Sequence, residues 1–326
     1  MSQFVLLTLN NMEHEQSIQS LDDLHRLCEN QVARDNIQFG LEPASLYLPN
    51  PIFTLTPKYC LIAMEPSLVE KALVDQGYKN FVGCGGNGIL QYCAYTFLCH
   101  ESFDYQITDI SKGTMKTDIA DNWRNIRYTN WLSILKQELE FFGNPSLVAI
   151  GSKAKNFLTK KDFELCCSLM HYSQRNNKQF RDYYEQHTKK YLADGIHIRL
   201  KEFVTKMMEK LNYTSEMKAF VLTGQLNDEL PIWKRGMFLY YMDEFSKIAT
   251  HIKTLHNSES EGDNTVEEYG QTLQQFWTSF KEYMESVGSF ISLPKPQPKK
   301  WAHHITLRVV LAYIRMLYFK VGFQET

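Results

Sequence analysis

The fold is indicated most strongly by the segment Tyr59-Cys-Leu-Ile-Ala-Met-Glu-Pro-Ser67. Residues 60–63 form an apolar run of strand length, and Glu65 follows as a single carboxylate before a proline. A parallel strand that ends in a turn brings such a group to the carboxyl edge of its sheet, where α/β enzymes bind ligands. An ordinary buried strand followed by a proline turn would have the same sequence, so the segments downstream must distinguish the two.

Length, charge and cysteine content set outer limits. The chain has 326 residues and a formal net charge of −2 at pH 7. This length suffices for one large domain or two ordinary ones, and nucleic acid could be bound only by a local basic patch. Seven cysteines without a C-x-x-C pair indicate free thiols in a reducing compartment. With no signal-peptide pattern and no apolar stretch of spanning length, we expect a soluble, cytoplasmic protein that does not contact membranes.

The first 180 residues alternate between strand and helix patterns. Strands are predicted at residues 59–63, 105–110 and 147–150, and an amphipathic helix at residues 130–142. Alternation of this kind favours a parallel sheet between helices. The predicted fold class is therefore α/β, with three α/β/α layers around a central parallel sheet.

The pattern after residue 181 is almost purely helical. Apolar residues recur three and four positions apart, as at Leu200, Phe203 and Met207, and again over residues 233–252. A basic, proline-rich linker at 294–300 precedes a last predicted helix at 301–319. We therefore predict two domains, an α/β domain at 1–180 and an all-helical domain at 181–326.

Three more segments of the first domain contain groups suited to chemistry. A glycine-rich turn, Asn80-Phe-Val-Gly-Cys-Gly-Gly-Asn-Gly88, would allow close approach of the backbone to a ligand. Asp109 lies in a β-rich run, where an acid is expected at the strand end or, equally, at the surface. His171 follows a strand–helix unit and precedes Ser, Gln, Arg and Asn; single histidines are more often structural, but this context favours a site.

Taken in order, these segments resemble the motifs of the uracil-DNA glycosylase superfamily over residues 50–178. The family's water-activating motif is G-x-x-P-x, as in G-Q-D-P-Y, and the corresponding segment here is Ala63-Met-Glu-Pro-Ser67. Its P-F-V-G-x-A-G-x-L-L segment corresponds to residues 80–90 with one extra residue. Its I-T-N-x-x-K and H-P-S motifs correspond to Ile107-Thr-Asp109-Ile-Ser-Lys112 and His171-Tyr-Ser173.

The resemblance implies a role for each matching residue. Glu65 would orient or deprotonate a water and offset positive charge on the sugar, and His171 would donate to the base carbonyl O2. Phe81 would stack on the flipped base. Base-binding residues would be Met64, Ser67, Phe81 and Asp109, and DNA-binding residues would be Ser173, Gln174, Arg175 and Lys153. Further basic residues nearby, equally typical of a solvated surface, are Lys155, Lys160, Lys161, Lys178 and Arg181.

Two departures from the uracil-specific pattern indicate the base. An ionised Asp109, where the family has asparagine, would only accept hydrogen bonds, which suits the N4 amino group of cytosine. Against uracil it would face O4, at a cost of about 1–3 kcal/mol, although N3 of cytosine would still need a donor. Ser67 replaces a bulky tyrosine and leaves room at C5. Two further changes, alanine at position 63 and glutamate instead of aspartate at 65, would shift the water by about 1 Å.

The predicted activity is that of a monofunctional DNA glycosylase acting on a 5-substituted cytosine. Removal of plain cytosine would damage the host genome, so hydroxymethylated or glucosylated cytosine in phage DNA is the expected substrate, in an antiviral role. The product would be an abasic site. We expect no cofactor, no iron–sulfur cluster and no metal, and DNA as the partner. Two alternatives remain: a non-catalytic module that binds modified DNA or a protein, and an ordinary uracil-DNA glycosylase.

Overall fold

A computed structural model of the chain describes residues 18–223 and 229–260, with the backbone alone at 117–118 and 251–260. It contains a parallel four-stranded sheet in the order β2-β1-β3-β4. The strands are β1 Tyr59–Ala63, β2 Tyr105–Asp109, β3 Ser146–Ile150 and β4 Leu165–Leu169. This confirms the predicted α/β class with a parallel sheet.

Helices connect the strands and follow the last one. Their bounds are α1 Leu21–Phe39, α2 Lys71–Asp75, α3 Gly86–Cys93, α4 Thr117–Phe141, α5 Ser152–Lys160, α6 Asn177–Gln186, α7 Ile196–Lys210, α8 Ser215–Leu222 and α9 Ile232–Ser260. A π-helical turn at Ala94–Leu98 extends α3, and 3₁₀ turns occupy Gln174–Asn176 and Lys190–Ala193. No helix of the described part is both long and apolar enough to cross a membrane.

The sheet is buried on both faces, which explains its near-continuous apolar strands. Alternate residues point to opposite faces of a strand. On one face, Cys60 and Ile62 of β1 pack with Tyr128 and Leu135 of α4 and with Leu158 of α5. The other face, which includes Leu61 and Ala63, packs against a larger cluster formed by α3, α7 and α9.

Strand β1 has the predicted bounds, whereas two other elements differ from the prediction. Helix α4 begins at Thr117, 13 residues before the predicted start at 130. The additional turns are polar, so their apolar periodicity is weak. Strand β4 was not predicted at all. It is a short edge strand with the sequence Leu-Cys-Cys-Ser-Leu, it is only partly buried, and its register with β3 is interrupted near Leu147.

Helices beyond residue 181 share a core with the sheet. One buried cluster combines Leu61, Leu90, Met207 and Phe238. The compact unit that contains them extends to Lys253. All regular elements described between 181 and 260 are helical. The linker at 294–300 and the helix at 301–319 lie outside the described residues, and the division at residue 180 stays a prediction.

Two buried ion pairs fix helix α4 to its neighbours. Arg127 donates through Nε to Oδ2 of Asp35 in α1 at 3.0 Å, and both side chains are fully buried. The Trp131 indole donates to the same oxygen at 2.8 Å. Lys112, in the loop after β2, pairs with Glu138 of α4 at 2.6 Å. Because a buried charge must be paired, these contacts determine where the loop after β2 lies.

Candidate functional site at the carboxyl edge of the sheet

The predicted site residues follow three different strands at one edge of the sheet. Glu65 follows β1, Asp109 ends β2 and His171 follows β4. In the register of β1 with β2, Ala63 lies beside Asp109, so Glu65 begins the turn next to that acid. Strand β1 lies between β2 and β3, which is where the direction of the strand order reverses. Open parallel sheets bind ligands at such a switch point.

Glu65 is held by two side chains of α4. Arg124 donates through Nη2 to Oε1 at 2.7 Å and through Nε to both carboxylate oxygens at 3.2 Å. The Tyr128 hydroxyl donates to Oε2. Burial and the Glu65 charge raise the pKa of Tyr128 well above its usual range, so the phenol keeps its proton. Both neighbours are donors, and Glu65 is therefore oriented as a hydrogen-bond acceptor with little freedom to move.

The ion pair of Glu65 with Arg124 is linked to the surface by a second ion pair of Arg124 with Asp121. Arg124 contacts Asp121 through Nη1, and Lys153 contacts the same carboxylate at 2.6 Å. Lys153 is exposed and was predicted to bind DNA, but here its ammonium is paired. A phosphate would have to compete with Asp121 for it. Surface pairs contribute about 0–1 kcal/mol, so that competition costs little.

Asp109 is almost completely buried, at 1% exposure. The Asn80 amide donates to its Oδ2 at 2.5 Å. Burial, followed by the nearby charge of Glu65, raises the pKa of Asp109 well above its usual range; Lys112 and the Asn80 bond act in the opposite direction. The shift is opposite in direction to the sequence-based expectation of an ionised Asp109 that only accepts. In its neutral form the acid both accepts and donates.

The raised pKa of Asp109 predicts a pH-dependent effect of Asp109→Asn on stability. Above the unfolded pKa the folded state retains a proton that the unfolded state loses, so wild-type stability falls as pH rises toward the folded pKa. Asparagine does not titrate. The free energy of unfolding of the variant, relative to that of the wild type, should therefore rise by up to about 1.4 kcal/mol per pH unit above pH 4.

Urea unfolding of both proteins at pH 5, 6.5 and 8 measures this gain. Asp75→Asn, which changes an exposed carboxylate, is the matched control and should show no such trend. Equal pH dependence in the wild type and Asp109→Asn would contradict a protonated Asp109.

His171 is fixed in one tautomer. The Ser173 backbone N–H donates to Nδ1 at 3.0 Å, so a neutral ring carries its proton on Nε2. The Asn176 amide donates to the His171 carbonyl at 2.7 Å, and the ring stacks on Tyr172 at 4.3 Å between centroids. Gly151 leaves room for it, since a Cβ there would lie 3.1 Å from the His171 Cβ. The histidine is thus arranged to donate through Nε2.

Burial lowers the pKa of His171 to about 4, although the charge of Glu65 acts in the opposite direction. We predict that its imidazole resonances titrate with a midpoint near pH 4 in an NMR titration of the intact protein. The Nε2 donor would then stay unchanged from pH 5 to 8, and the associated stability would be lost as pH falls from 6.5 toward 4. A midpoint near 6.5 would contradict this environment, with His171→Gln identifying the resonance.

Phe81 lies in a backbone conformation that non-glycine residues rarely adopt, with φ of 60°. Its N–H donates to Oδ1 of Asn80 at 3.0 Å, and its carbonyl accepts from Gln91 at 2.7 Å. Such a conformation costs about 1–3 kcal/mol and persists only where surrounding contacts enforce it. Phe81 is 3% exposed and belongs to the core cluster on the α3 face of the sheet. The next glycines approach the His171 loop, because a Cβ at Gly86 would lie 2.8 Å from the Tyr172 carbonyl oxygen.

The other predicted site residues lie around this group. Met64 packs against the cluster on the α4 face of the sheet, and Ser67 is exposed and pairs through its backbone with Met115. In the loop after His171, Gln174 and Arg175 are exposed and form a 3₁₀ turn, while Ser173 is half-buried. The structure thus brings Glu65, Asp109 and His171 together, with Phe81 attached through Asn80, and leaves Met64 on the α4 face of the sheet, opposite the face that Phe81 contacts.

Three residues of the site were missed in the sequence. Arg124 and Tyr128 lie four positions apart on α4, in the polar turns where no helix was predicted. Their spacing is the only signal, since residues at i and i+4 share a helix face. Asn80 was quoted only as part of the glycine-rich turn. Nothing in its sequence context indicates that it reaches Asp109.

A cavity of about 680 Å³ lies elsewhere, at the opposite edge of the sheet where β3 and β4 begin. None of the predicted site residues borders it. Among the side chains that the structure describes, no three His, Cys, Asp or Glu residues are placed to hold a metal ion. The His303-His304 pair lies outside the described residues.

No protein-family model matches this chain, and a search of curated proteins also found no match. The function is therefore inferred from the geometry at the carboxyl edge of the sheet.

Proposed function

We propose that the protein is a monofunctional DNA glycosylase with a uracil-DNA glycosylase-like fold. It would hydrolyse the N-glycosidic bond of a flipped, 5-substituted cytosine and leave an abasic site. One observation carries the proposal: Glu65, Asp109 and His171, which occur in the order of the family motifs, meet at the switch point of a β2-β1-β3-β4 parallel sheet.

Glu65 acts mainly through its charge. Breaking the glycosidic bond develops positive charge on the sugar, and a carboxylate fixed beside it offsets that charge without reorganisation. Arg124 and Tyr128 occupy much of the acceptor capacity of the carboxylate. What remains orients the attacking water. Glu65 is therefore a weaker general base than a carboxylate without these donors would be.

His171 stabilises the leaving base. Negative charge builds on O2 of the pyrimidine as the bond breaks, and a neutral imidazole donates to it through Nε2. Because Nδ1 accepts the Ser173 N–H, the ring need not be protonated for this task. The reaction therefore needs no proton from His171.

Phe81 and Asp109 recognise the base; both are buried here, at 3% and 1% exposure, so contact with a base requires the side chains that cover them to move aside. Stacking on an aromatic ring offsets part of the few kcal/mol needed to flip a base out of the duplex. The neutral Asp109 accepts from N4 and donates to N3 of a cytosine, while the exposed Ser67 leaves space at C5. Because removal of unmodified cytosine would harm the host, the substrate is a base foreign to it, such as hydroxymethylated or glucosylated cytosine of phage DNA.

DNA contacts come from the loop after His171. Gln174 and Arg175 are exposed there, next to Ser173, and Arg175 provides a charge for phosphate. Lys153 provides a second cation when its ion pair with Asp121 breaks and the ammonium binds a phosphate instead. These contacts would hold the duplex while the base is extruded.

A non-catalytic binding module is the second candidate, and the close hold on Glu65 favours it. A carboxylate with three donor contacts from Arg124 and one from Tyr128 is typical of a structural ion pair as well as of a catalytic acid. In that case the same edge would bind modified DNA or a protein without turnover.

The proposal is tested by incubating the full chain with duplexes that contain cytosine, uracil, 5-hydroxymethylcytosine or glucosylated cytosine, followed by alkaline cleavage of abasic sites. Fastest cleavage at a modified cytosine supports it. Fastest cleavage at uracil would indicate an ordinary uracil-DNA glycosylase. Binding without cleavage of any strand would favour the binding module.

A further inference from the structure

A closed ring of hydrogen bonds and one ion pair holds Asp109 in place. It passes through six residues: Asp109, Asn80, Asn50, Thr108, Glu138 and Lys112. Its contacts measure 2.5, 3.1, 2.9, 2.9, 2.6 and 2.7 Å in that order, the last being from Lys112 Nζ to the Asp109 carbonyl. The ring joins the glycine-rich turn, the segment before β1, strand β2 and helix α4.

The direction of each bond in the ring follows from its neighbours. The ammonium of Lys112 can only donate, and it lies 2.6 Å from Oε2 of Glu138 as an ion pair. Thr108 has one hydroxyl proton and directs it to Glu138, so its oxygen accepts from the Asn50 amide nitrogen. The Asn50 amide oxygen then faces Asn80 and accepts from it at 3.1 Å. The buried ion pair thus sets the orientation of the amides.

The orientation of Asn80 is fixed a second time by the backbone. Its Oδ1 accepts the Phe81 N–H at 3.0 Å, so the nitrogen of the amide must face Asp109. A donor at 2.5 Å requires Oδ2 of Asp109 to be an acceptor. A proton on this carboxyl group is then confined to Oδ1.

We infer that Asn80 is a specificity-determining residue, because it confines the Asp109 proton to Oδ1 and makes the acid present one acceptor and one donor in a fixed order. This inference rests on the proposed function. A neutral carboxyl group with a mobile proton would pair with the N3–N4 edge of cytosine or, reversed, with the N3–O4 edge of uracil. With the acceptor fixed at Oδ2 and the donor at Oδ1, the acid can pair with only one of these two edges in a given orientation of the base.

The charges around Asp109 agree with a neutral acid. The charged groups near it are Glu65, Lys112 and Glu138, and two tyrosines, Tyr128 and Tyr172, are also close. Burial together with two acids outweighs one lysine and raises the pKa of Asp109. The sequence is consistent with this pairing: Asn80 stands where the quoted family motif has proline, and Asp109 where it has asparagine. The two departures are in direct contact at 2.5 Å.

The test compares Asn80→Ala with Asn87→Ala, which lies in the same glycine-rich turn and outside the ring. Single-turnover excision is measured on 5-hydroxymethylcytosine and on uracil strands. Asn80→Ala should lower the ratio of the two rates by about 5- to 150-fold, which corresponds to the roughly 1–3 kcal/mol that one mispaired polar group costs. Asn87→Ala should leave the ratio unchanged. An equal loss of both rates in Asn80→Ala, with the ratio kept, would overturn the inference.

Asn80→Leu provides a second variant in case the alanine protein folds poorly. It has nearly the size of asparagine and has no donor for Asp109, so the ratio should fall again. Asp109→Asn tests the same point from the other side, because Asn80 still fixes the oxygen of the new amide. Discrimination should persist in Asp109→Asn and be lost when Asn80→Ala is added.

A readout without turnover separates this inference from the proposed function. The side-chain carboxyl carbon of Asp109 is followed by NMR as pH is varied in the full chain. The Asn80 donor favours the ionised form, so its loss in Asn80→Ala should raise the titration midpoint, while Asn87→Ala leaves it in place. An unchanged midpoint overturns the role of Asn80. Failure of every strand to be cleaved would instead reject the glycosylase.

Discussion

Glu65→Gln is expected to slow base excision by about 10²–10⁴-fold while the affinity for DNA is retained. Glutamine has the shape of the glutamate side chain but lacks its negative charge, so positive charge on the sugar is no longer offset and the water is poorly oriented. Single-turnover excision measures the first effect, and fluorescence anisotropy with a labelled duplex measures the second.

The control for Glu65→Gln is Glu70→Gln, which neutralises an exposed carboxylate five residues away in the chain. Tyr128→Phe adds an intermediate case, because it removes one donor to Glu65 and keeps the charge. Its loss of rate should be smaller than that of Glu65→Gln. Full turnover in Glu65→Gln would show that this carboxylate belongs to a structural ion pair, and the glycosylase mechanism would be wrong.

Lys112→Met should lower the free energy of unfolding by about 3–5 kcal/mol. The substitution leaves the carboxylate of Glu138 buried without its cation, at an exposure of 3%. It also removes the hydrogen bond to the Asp109 carbonyl. Urea unfolding at pH 7, followed by circular dichroism, measures the loss.

Two variants show whether the buried charge is the cause. Lys58→Met removes the cation of an exposed pair with Asp104 and should change stability by about 1 kcal/mol or less. The double variant Lys112→Met, Glu138→Leu should recover most of the loss, because no unpaired charge remains. If Lys112→Met alone were as stable as the wild type, the ring around Asp109 would have no energetic basis.

Local sequence patterns predicted the elements that are rich in apolar residues. Strand β1 was predicted with the bounds observed, and β2 and β3 to within one residue at an end, since buried parallel strands read as apolar runs. The proline turn after β1 also placed Glu65 at a strand end, whereas Asp109 was expected equally at a strand end or at the surface; it ends β2. Strand β4 was not predicted because it has only five residues, some of which are polar, and it is only partly buried.

Only those site residues that stand in a recognisable motif were predicted from the sequence. Glu65, Phe81, Asp109 and His171 each stand in a motif, and their order along the chain is a sequence property. Arg124 and Tyr128 have no motif. They reach Glu65 because α4 crosses one face of the sheet, and helix packing of that kind depends on the whole core.

The sequence by itself determined the parallel α/β architecture and the residues that stand at its strand ends, because periodicity and turn chemistry are local properties of the chain. Only the tertiary structure decided their chemical state. Asp109 is buried beside Glu65 and accepts from Asn80, and both residues are distant from it in the sequence. The Ser173 N–H reaches His171 because the chain turns between them. A pKa and a tautomer depend on such neighbours and on exclusion of water, which no single segment specifies.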